Sequence, residues 1–216
     1  MSGRIASAVA LALALALSTA SHAAVVAGRD YTPLHNAQPT QVAPSKTEII
    51  EFFSFACPHC YELHRKVLAW ARKLPADITL RKVPVAYDKP GWQPLAQAAY
   101  AMQATGDFER LESAFFDAIH QERQPLFDQQ AITAWMVKHG VDGAKFTAAW
   151  SSFSVGTRMA QNEGMQVRYE IGFVPMFVVD GRYTVTYTEG DQMLANTASL
   201  AESVLAGKAK AGRKKG

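Results

Sequence analysis

The pattern of hydrophobic and polar positions first predicts a strand, a helix and a second strand. Residues 47–55 are almost continuously apolar, as expected for a strand covered on both faces, although Glu51 interrupts the run. Residues 61–74 then place apolar side chains along one helical face and charged side chains elsewhere, and Pro75 ends this helix. Residues 78–85 are predicted to form the next strand. This β-α-β order indicates an α/β fold.

A block of helices is predicted next, because apolar residues recur at helical spacing from Trp92 to about Ala160. Glycine and proline positions divide the block into five segments, at residues 94–105, 108–121, 128–139, 143–150 and 155–165. Aromatic side chains of the block are predicted to be core rather than a cofactor site: Phe115, Phe116, Trp135, Phe146 and Trp150.

The C-terminal part of the chain predicts two short strands and a last helix. Residues 176–179 and 183–186 flank Asp180-Gly181, which is a strong signal for a hairpin turn. The last helix is predicted over residues 191–206. Near the other end, a short strand is expected at residues 31–34, within a loosely ordered leader.

This order of elements predicts an α/β protein with a thioredoxin fold and an inserted all-helical domain. The predicted division is a signal peptide at residues 1–23, the first part of the thioredoxin fold at 24–88, the helical insertion at 89–160, the second part of the fold at 161–206, and a basic disordered tail at 207–216.

The N-terminal segment has the features of a secretory signal peptide. Arg4 precedes an apolar run at residues 8–17, and small residues follow, with cleavage predicted after Ala23. The apolar run falls short of the about 20 residues that a spanning helix needs, so a membrane anchor is the weaker alternative. The mature protein is therefore expected outside the cytoplasm, in an oxidising environment where disulfide chemistry is useful.

The two cysteines of the chain, Cys57 and Cys60, are separated by Pro58 and His59. A C-x-x-C sequence on the turn from a strand to a helix is typical of thioredoxin-like redox proteins. Two thiols at this spacing can close a disulfide and pass it on by thiol–disulfide exchange.

The position of Cys57 predicts a reactive thiol. Cys57 falls where the N-cap of the helix is expected, and Pro58 suits the first helical position. A thiolate there meets unpaired backbone N–H groups and the positive end of the helix dipole, and His59 can add a donor or a positive charge. These contacts lower the pKa of Cys57, which stabilises the reduced form and makes the disulfide a stronger oxidant. We expect Cys57 to attack first and the less exposed Cys60 to close the disulfide.

Three other interpretations of the cysteine pair fit less well. A zinc site normally has four nitrogen or sulfur ligands, and only His59 and His64 lie near the pair in the sequence. Haem attachment requires histidine directly after the second cysteine, where this chain has Tyr61. A purely structural disulfide over so short a loop would remove little chain entropy.

Four motifs indicate a known family: EFFSF-x-CPHCY at residues 51–61, RKVPV at 81–85, AAWSSF at 148–153, and G-x-VP-x-FVV-x-G at 172–181. With them the chain closely resembles the DsbA family of periplasmic thiol:disulfide oxidoreductases over nearly all of its mature length. The CPHC sequence is specific, because related thioredoxins and isomerases carry other residues between the cysteines. The family is itself a standard example of a strongly lowered cysteine pKa and a strongly oxidising couple, and the resemblance implies that direction here.

The resemblance implies roles for four further residues. Val174 and Pro175 match a loop whose proline is cis and lies against the active-site disulfide, where a substrate strand can pair with exposed backbone; an ordinary trans proline is the alternative. Glu51 and Lys82 match a buried acid–base pair beneath the cysteines. A carboxylate in an apolar strand should have a raised pKa unless it is partnered, and could shuttle a proton to or from Cys60. The alternative is a glutamate on a solvated strand face.

The function that the resemblance implies is donation of the Cys57–Cys60 disulfide to newly exported, unfolded polypeptides. Reoxidation by a membrane partner, DsbB, with quinone behind it is then expected, with no bound cofactor beyond the redox-active disulfide. We expect a monomer. No nucleic-acid partner is expected, since the formal net charge is only +3. Two alternatives stay open: a disulfide isomerase or reductase with the same motif, and a peptide-binding chaperone whose cysteines are idle.

Overall fold

The computed structural model describes residues 24–87 and 89–213. In these residues the strands are β1 (Tyr31–Pro33), β2 (Thr47–Phe53), β3 (Ile78–Pro84), β4 (Met176–Val179) and β5 (Tyr183–Val185). The helices are α1 (Pro58–Ala71), α2 (Gln93–Thr105), α3 (Phe108–His120), α4 (Gln129–Lys138), α5 (Gly143–Trp150), α6 (Phe153–Arg168) and α7 (Gly190–Arg213). The predicted signal peptide at residues 1–23 lies outside the described residues.

Strand β2 lies inside a mixed sheet with the order β1-β5-β4-β2-β3. It pairs in parallel with β3, which places Glu51 opposite Lys82, and antiparallel with β4. All seven residues of β2 are buried, as its apolar sequence predicts, and Glu51 is buried with them. The sheet topology agrees with the predicted thioredoxin fold, with α2 to α6 inserted between β3 and β4.

Two apolar clusters cover the two faces of the sheet. One packs the helices of the insertion against β2 and the cysteine motif, and includes Phe53, Phe55, Cys57 and Cys60. The other packs α1 and α7 against the opposite face, around Phe177. The five aromatic side chains that the sequence predicts as core are all buried: Phe115, Phe116, Trp135, Phe146 and Trp150. Within the ranges described, no helix is both long and apolar enough to cross a membrane.

Helix α6 crosses residue 160, where the sequence predicts the end of the insertion. The side chain of Ser152 caps this helix by accepting a hydrogen bond from the backbone N–H of Val155. From that cap the helix continues without a break to Arg168. The division of the chain into domains stays a prediction.

The structure corrects the predicted start of the C-terminal tail, because α7 continues through residues 207–213. Lys208 anchors this extension: its Nζ donates hydrogen bonds to the carbonyl oxygen of Lys46, at 2.6 Å, and to Oδ1 of Asp180, at 2.5 Å. These contacts order the backbone around Lys208. They are formed with distant parts of the chain, so the local sequence did not predict them.

The hairpin turn between β4 and β5 requires glycine. Asp180 and Gly181 both adopt positive φ, at 55° and 62°, as type I′ hairpin turns require. A Cβ atom at Gly181 would also collide with the backbone carbonyl of Gln38. Both strain and overlap therefore oppose any side chain there.

We expect Gly181→Ala to lower the free energy of unfolding by about 3 kcal/mol, from left-handed backbone strain and steric overlap together. Gly106→Ala is the matched control: Gly106 has φ of 81°, and its Cβ would meet no described atom within 4 Å. That variant should lose about 1 kcal/mol, from strain alone. Urea unfolding of both variants measures the difference, and equal losses would contradict the role given to Gln38.

Candidate active site

The cysteine motif lies at the turn between β2 and α1. Cys57 is the N-cap residue of α1, with extended backbone (φ −87°, ψ 119°), and Pro58 is the first helical residue. Proline suits that position because its missing N–H would have no intrahelical acceptor. His59 is exposed, whereas Cys60, one turn into the helix, is 1% exposed and Cys57 is 5% exposed. Cys57 is thus the more accessible of the two thiols, as predicted.

The loop that carries Val174 and Pro175 contacts the cysteine motif directly. The Val174–Pro175 peptide bond is cis, as the family resemblance implied. The Sγ atom of Cys57 lies 3.3 Å from the carbonyl oxygen of Val174, which accepts a hydrogen bond from it when the thiol is protonated. The loop therefore places backbone polar groups beside the reacting sulfur.

The two thiols have opposite pKa shifts. The pKa of Cys57 is lowered to about 6, chiefly by a hydrogen bond from the Cys60 thiol. Burial of Cys57 acts in the opposite direction and raises the pKa. The backbone N–H groups of Cys60 and His59, and the charge of His59, lower the pKa further. Burial and the negative charge of Cys57 raise the pKa of Cys60 well above its ordinary value. The sequence predicted the contributions of the helix end and His59 but missed that of Cys60. In the reduced protein, Cys57 holds the charge and Cys60 holds the proton.

Two buried carboxylates and a partly buried lysine form a cluster near Cys60. Nζ of Lys82 is 3.7 Å from Oε2 of Glu51 but only 2.8 Å from Oε2 of Glu112, to which it donates a hydrogen bond. Burial raises the pKa values of both Glu51 and Glu112, although the charge of Lys82 opposes the shift. The predicted Glu51–Lys82 pair is thus brought together, but it shares its ammonium group with a second carboxylate.

Glu112 is the ionisable residue of this site that the sequence analysis missed. It lies on α3 in a stripe of buried side chains with Phe108, Leu111, Phe115 and Phe116. A charged residue at a core position of an amphipathic helix is unusual unless it has a partner. That exception within the apolar stripe is the signal that could have identified it.

Two histidines near the motif, His64 and His120, contact other polar groups. A ring nitrogen of buried His64 is 2.8 Å from the hydroxyl of Ser113. Burial lowers the pKa of His64 to about 4, so its ring is neutral near pH 7. His120 bonds the carbonyl oxygen of Phe55 at 2.7 Å. In residues 24–87 and 89–213, no group of three or more His, Cys, Asp and Glu side chains is arranged to hold a metal ion.

A groove runs beside the cysteine motif, between α1 and the start of α7, and His59, Pro175, Tyr187 and Met193 contribute to its lining. Phe173 and Tyr187 are 44% and 49% exposed, and their ring centroids are 5.6 Å apart. Large exposed apolar side chains are typical of surfaces that contact other proteins. These two exposed rings form an apolar surface on the loop that follows Gly172 and at the edge of the groove.

Together, the sheet, the cysteine pair at a helix N-terminus and the cis-proline loop define a thiol:disulfide oxidoreductase of the thioredoxin class. The DSBA-like thioredoxin domain family matches residues 48–200 of the chain. The thiol:disulfide interchange protein DsbA of Burkholderia cepacia is 37% identical over 164 residues, covering 76% of this chain and 77% of that protein. Its counterpart in Bordetella pertussis is 36% identical over 182 residues, covering 83% of this chain and 84% of that protein.

Solved structures agree with the sequence matches. The oxidoreductase DsbA from Xylella fastidiosa superposes with a TM-score of 0.78 at 28% identity, covering 84% of this chain and 98% of that chain. Reduced DsbA1 from Neisseria meningitidis also gives 0.78 at 28% identity, with 87% and 99% covered. The chain belongs to the DsbA family of thioredoxin-fold proteins. It is a thiol:disulfide oxidoreductase that carries the cysteine pair Cys57 and Cys60, and the predicted family and fold class are confirmed.

Proposed function

We propose that this protein works in the periplasm, after removal of residues 1–23, and donates its Cys57–Cys60 disulfide to newly exported, unfolded polypeptides. The observation that carries this direction of transfer is the lowered pKa of Cys57, about 6, held by a hydrogen bond from Cys60 and by the helix N-terminus. Stabilising the thiolate stabilises the reduced protein. A protein whose reduced form is stabilised has an oxidising disulfide.

The transfer takes two exchange steps. A substrate thiolate attacks Sγ of Cys57 in the disulfide, the bond to Cys60 breaks, and Cys60 leaves as a thiolate that takes up a proton. A second substrate thiolate then attacks the substrate sulfur of the mixed disulfide and expels the Cys57 thiolate. The substrate loses two electrons and gains a disulfide, and the enzyme leaves as the reduced dithiol.

Each candidate residue has a chemical role in this sequence. Cys57 is attacked first and is later the leaving group, which His59 and the N–H groups beyond Pro58 stabilise. Glu51, buried beneath the motif next to Lys82, gives a proton to Cys60 as it leaves and takes one back when it attacks.

The substrate chain binds at Val174 and Pro175. The carbonyl oxygen of Val174 is 3.3 Å from Sγ of Cys57, so an extended substrate segment that pairs with this backbone carries its cysteine to the sulfur. The exposed rings of Phe173 and Tyr187 add apolar contact next to the same loop. Backbone pairing and apolar contact both suit unfolded chains of differing sequence.

Continued turnover requires an electron acceptor, for which we propose a quinone-linked membrane protein of the DsbB type. The protein itself is proposed to act as a monomer, with no bound cofactor other than its own disulfide. Its proposed partners are the unfolded substrate and the membrane oxidant, and it is not proposed to bind nucleic acid.

The redox equilibrium of the mature protein against glutathione buffers, read by thiol trapping, tests the direction of transfer. We expect a potential far more oxidising than the about −270 mV of thioredoxin. The redox-inactive Cys57→Ser variant controls for non-specific thiol labelling. A potential near that of thioredoxin would contradict disulfide donation and favour the reductase or isomerase alternative.

A further inference from the structure

Lys82 lies between two buried carboxylates that reach it from different parts of the fold. Glu51 is on β2, directly opposite Lys82 of β3, and Glu112 comes from α3 of the helical insertion. The side chains of Glu51 and Glu112 are 5% and 3% exposed, and that of Lys82 is 12% exposed. One ammonium group at this position neutralises one carboxylate, so the two acids compete for it.

The geometry favours Glu112 in this competition. Lys82 donates its hydrogen bond to Glu112 at 2.8 Å and stays 3.7 Å from Glu51. Oε2 of Glu51 is fully buried and has no hydrogen-bond partner among the described residues. A buried carboxylate in that situation is costly to ionise and binds a proton more readily than one that is hydrogen-bonded to an ammonium group.

Other titratable groups around the cluster come from two helices. Helix α1 contributes Cys60 and His64, and α3 contributes Glu109 beyond Glu112. On its other side, Glu51 lies opposite Phe177 of β4, which carries no charge. The charge of Glu51 helps to raise the pKa of Cys60, so Glu51 is placed to exchange a proton with that thiol during the reaction.

We propose that Glu112 is a positioning residue for disulfide exchange: by taking the hydrogen bond of Lys82, it leaves the Glu51 carboxylate free to carry the proton of Cys60. This inference rests on the proton-carrying role proposed for Glu51. It assigns to the helical insertion a direct part in the chemistry of the thioredoxin fold.

The surface of the protein supports the same arrangement. Lys82 and Glu112 also line a groove between β3, the end of α1 and the turn from α2 to α3, together with Leu80, Gln103 and Phe108. One end of the cluster thus lies beneath Cys60 and the other reaches a solvent-lined groove.

The test is the pH dependence of the step in which Cys60 resolves a Cys57–glutathione mixed disulfide, followed by rapid acid quench and thiol trapping. In Glu112→Gln, Lys82 loses the competing negative charge and pairs more strongly with Glu51. We expect the acid inflection of the rate profile to move to lower pH by about one unit. Glu112→Asp, whose shorter side chain draws the carboxylate back, should give a smaller shift in the same direction and serves if Glu112→Gln does not fold.

Three further variants separate the inference from the proposal on which it rests. Glu163→Gln removes an exposed charge on α6, outside the cluster, and should leave the inflection unchanged. Glu51→Gln should remove the inflection, and Glu51→Gln/Glu112→Gln should match Glu51→Gln alone.

The possible outcomes are distinct. If Glu51→Gln leaves the profile unchanged, the role proposed for Glu51 fails, and the inference fails with it. If Glu51→Gln removes the inflection but neither Glu112 variant moves it, only the inference is overturned. A Glu112→Gln shift that persists in the Glu51→Gln background would likewise overturn it, because Glu112 would then act by another route.

Discussion

Cys57→Ser is expected to reduce disulfide transfer by at least about three orders of magnitude, whereas Cys60→Ser should still form mixed disulfides and accumulate them. The more accessible sulfur, with its pKa lowered to about 6, is a thiolate at pH 7, and the less exposed Cys60 is protonated. Removing Cys57 removes the sulfur that is joined to the partner in the mixed disulfide, while removing Cys60 removes only the thiol that releases the bound partner. Transfer to a reduced, unfolded model protein measures the first effect. Gel analysis of the adducts that the reduced variants form with a disulfide-containing model protein measures the second.

The two serine variants control for each other, because each replaces one sulfur by oxygen within the same turn. Normal formation of mixed disulfides by Cys57→Ser would show that the order of attack is wrong. Unchanged support of substrate folding by a Cys57→Ala variant would favour the chaperone alternative, in which the cysteines are idle. Circular dichroism of the variants excludes loss of the fold as the cause.

The elements that hold the cysteine motif could be predicted because each has a local cause. An almost continuously apolar run indicated β2, and proline at the first helical position indicated where α1 begins. Asp180 and Gly181 marked the turn between β4 and β5 because few residues tolerate positive φ. These signals act within a few residues, so one sequence contains them in full.

The arrangement of charges beneath the motif could be predicted only in part. Glu51 and Lys82 came from the family resemblance, and adjacent strands do place them opposite each other. The partner that bonds Lys82 comes from α3, 30 residues further along the chain. Which face of α3 packs toward β3 depends on tertiary packing, so no local pattern assigns Glu112 to this ammonium group.

The length of α7 likewise could not be predicted from the local sequence. Small and basic residues after Ala206 predict a solvated tail by composition. The contact between Lys208 and Asp180 nevertheless holds this segment against the β4–β5 turn. A long-range ion pair of this kind cannot be read from the residues that it orders.

The lowered pKa of Cys57 also predicts how the stability of the reduced protein depends on pH. Cys57 has a pKa of about 6 in the folded protein, against about 8.5 for an unfolded thiol. A group with a lowered folded pKa stabilises the fold fully above its unfolded pKa, and this stabilisation is lost as the pH falls through about 6. Cys60, whose pKa is raised, stays protonated in both states up to about pH 8 and adds nothing in this range.

We therefore expect the free energy of unfolding of the reduced protein, relative to the oxidised protein, to rise by about 2 kcal/mol between pH 5 and pH 8, with an allowance for solvent around Cys57. The oxidised protein is the matched reference, since it contains every other titrating group while its cysteines do not titrate. Urea unfolding of both forms across this range measures the difference. A difference that stays constant with pH would mean that Cys57 is not an unusually acidic thiol, and the oxidising character proposed for the disulfide would lose its physical basis.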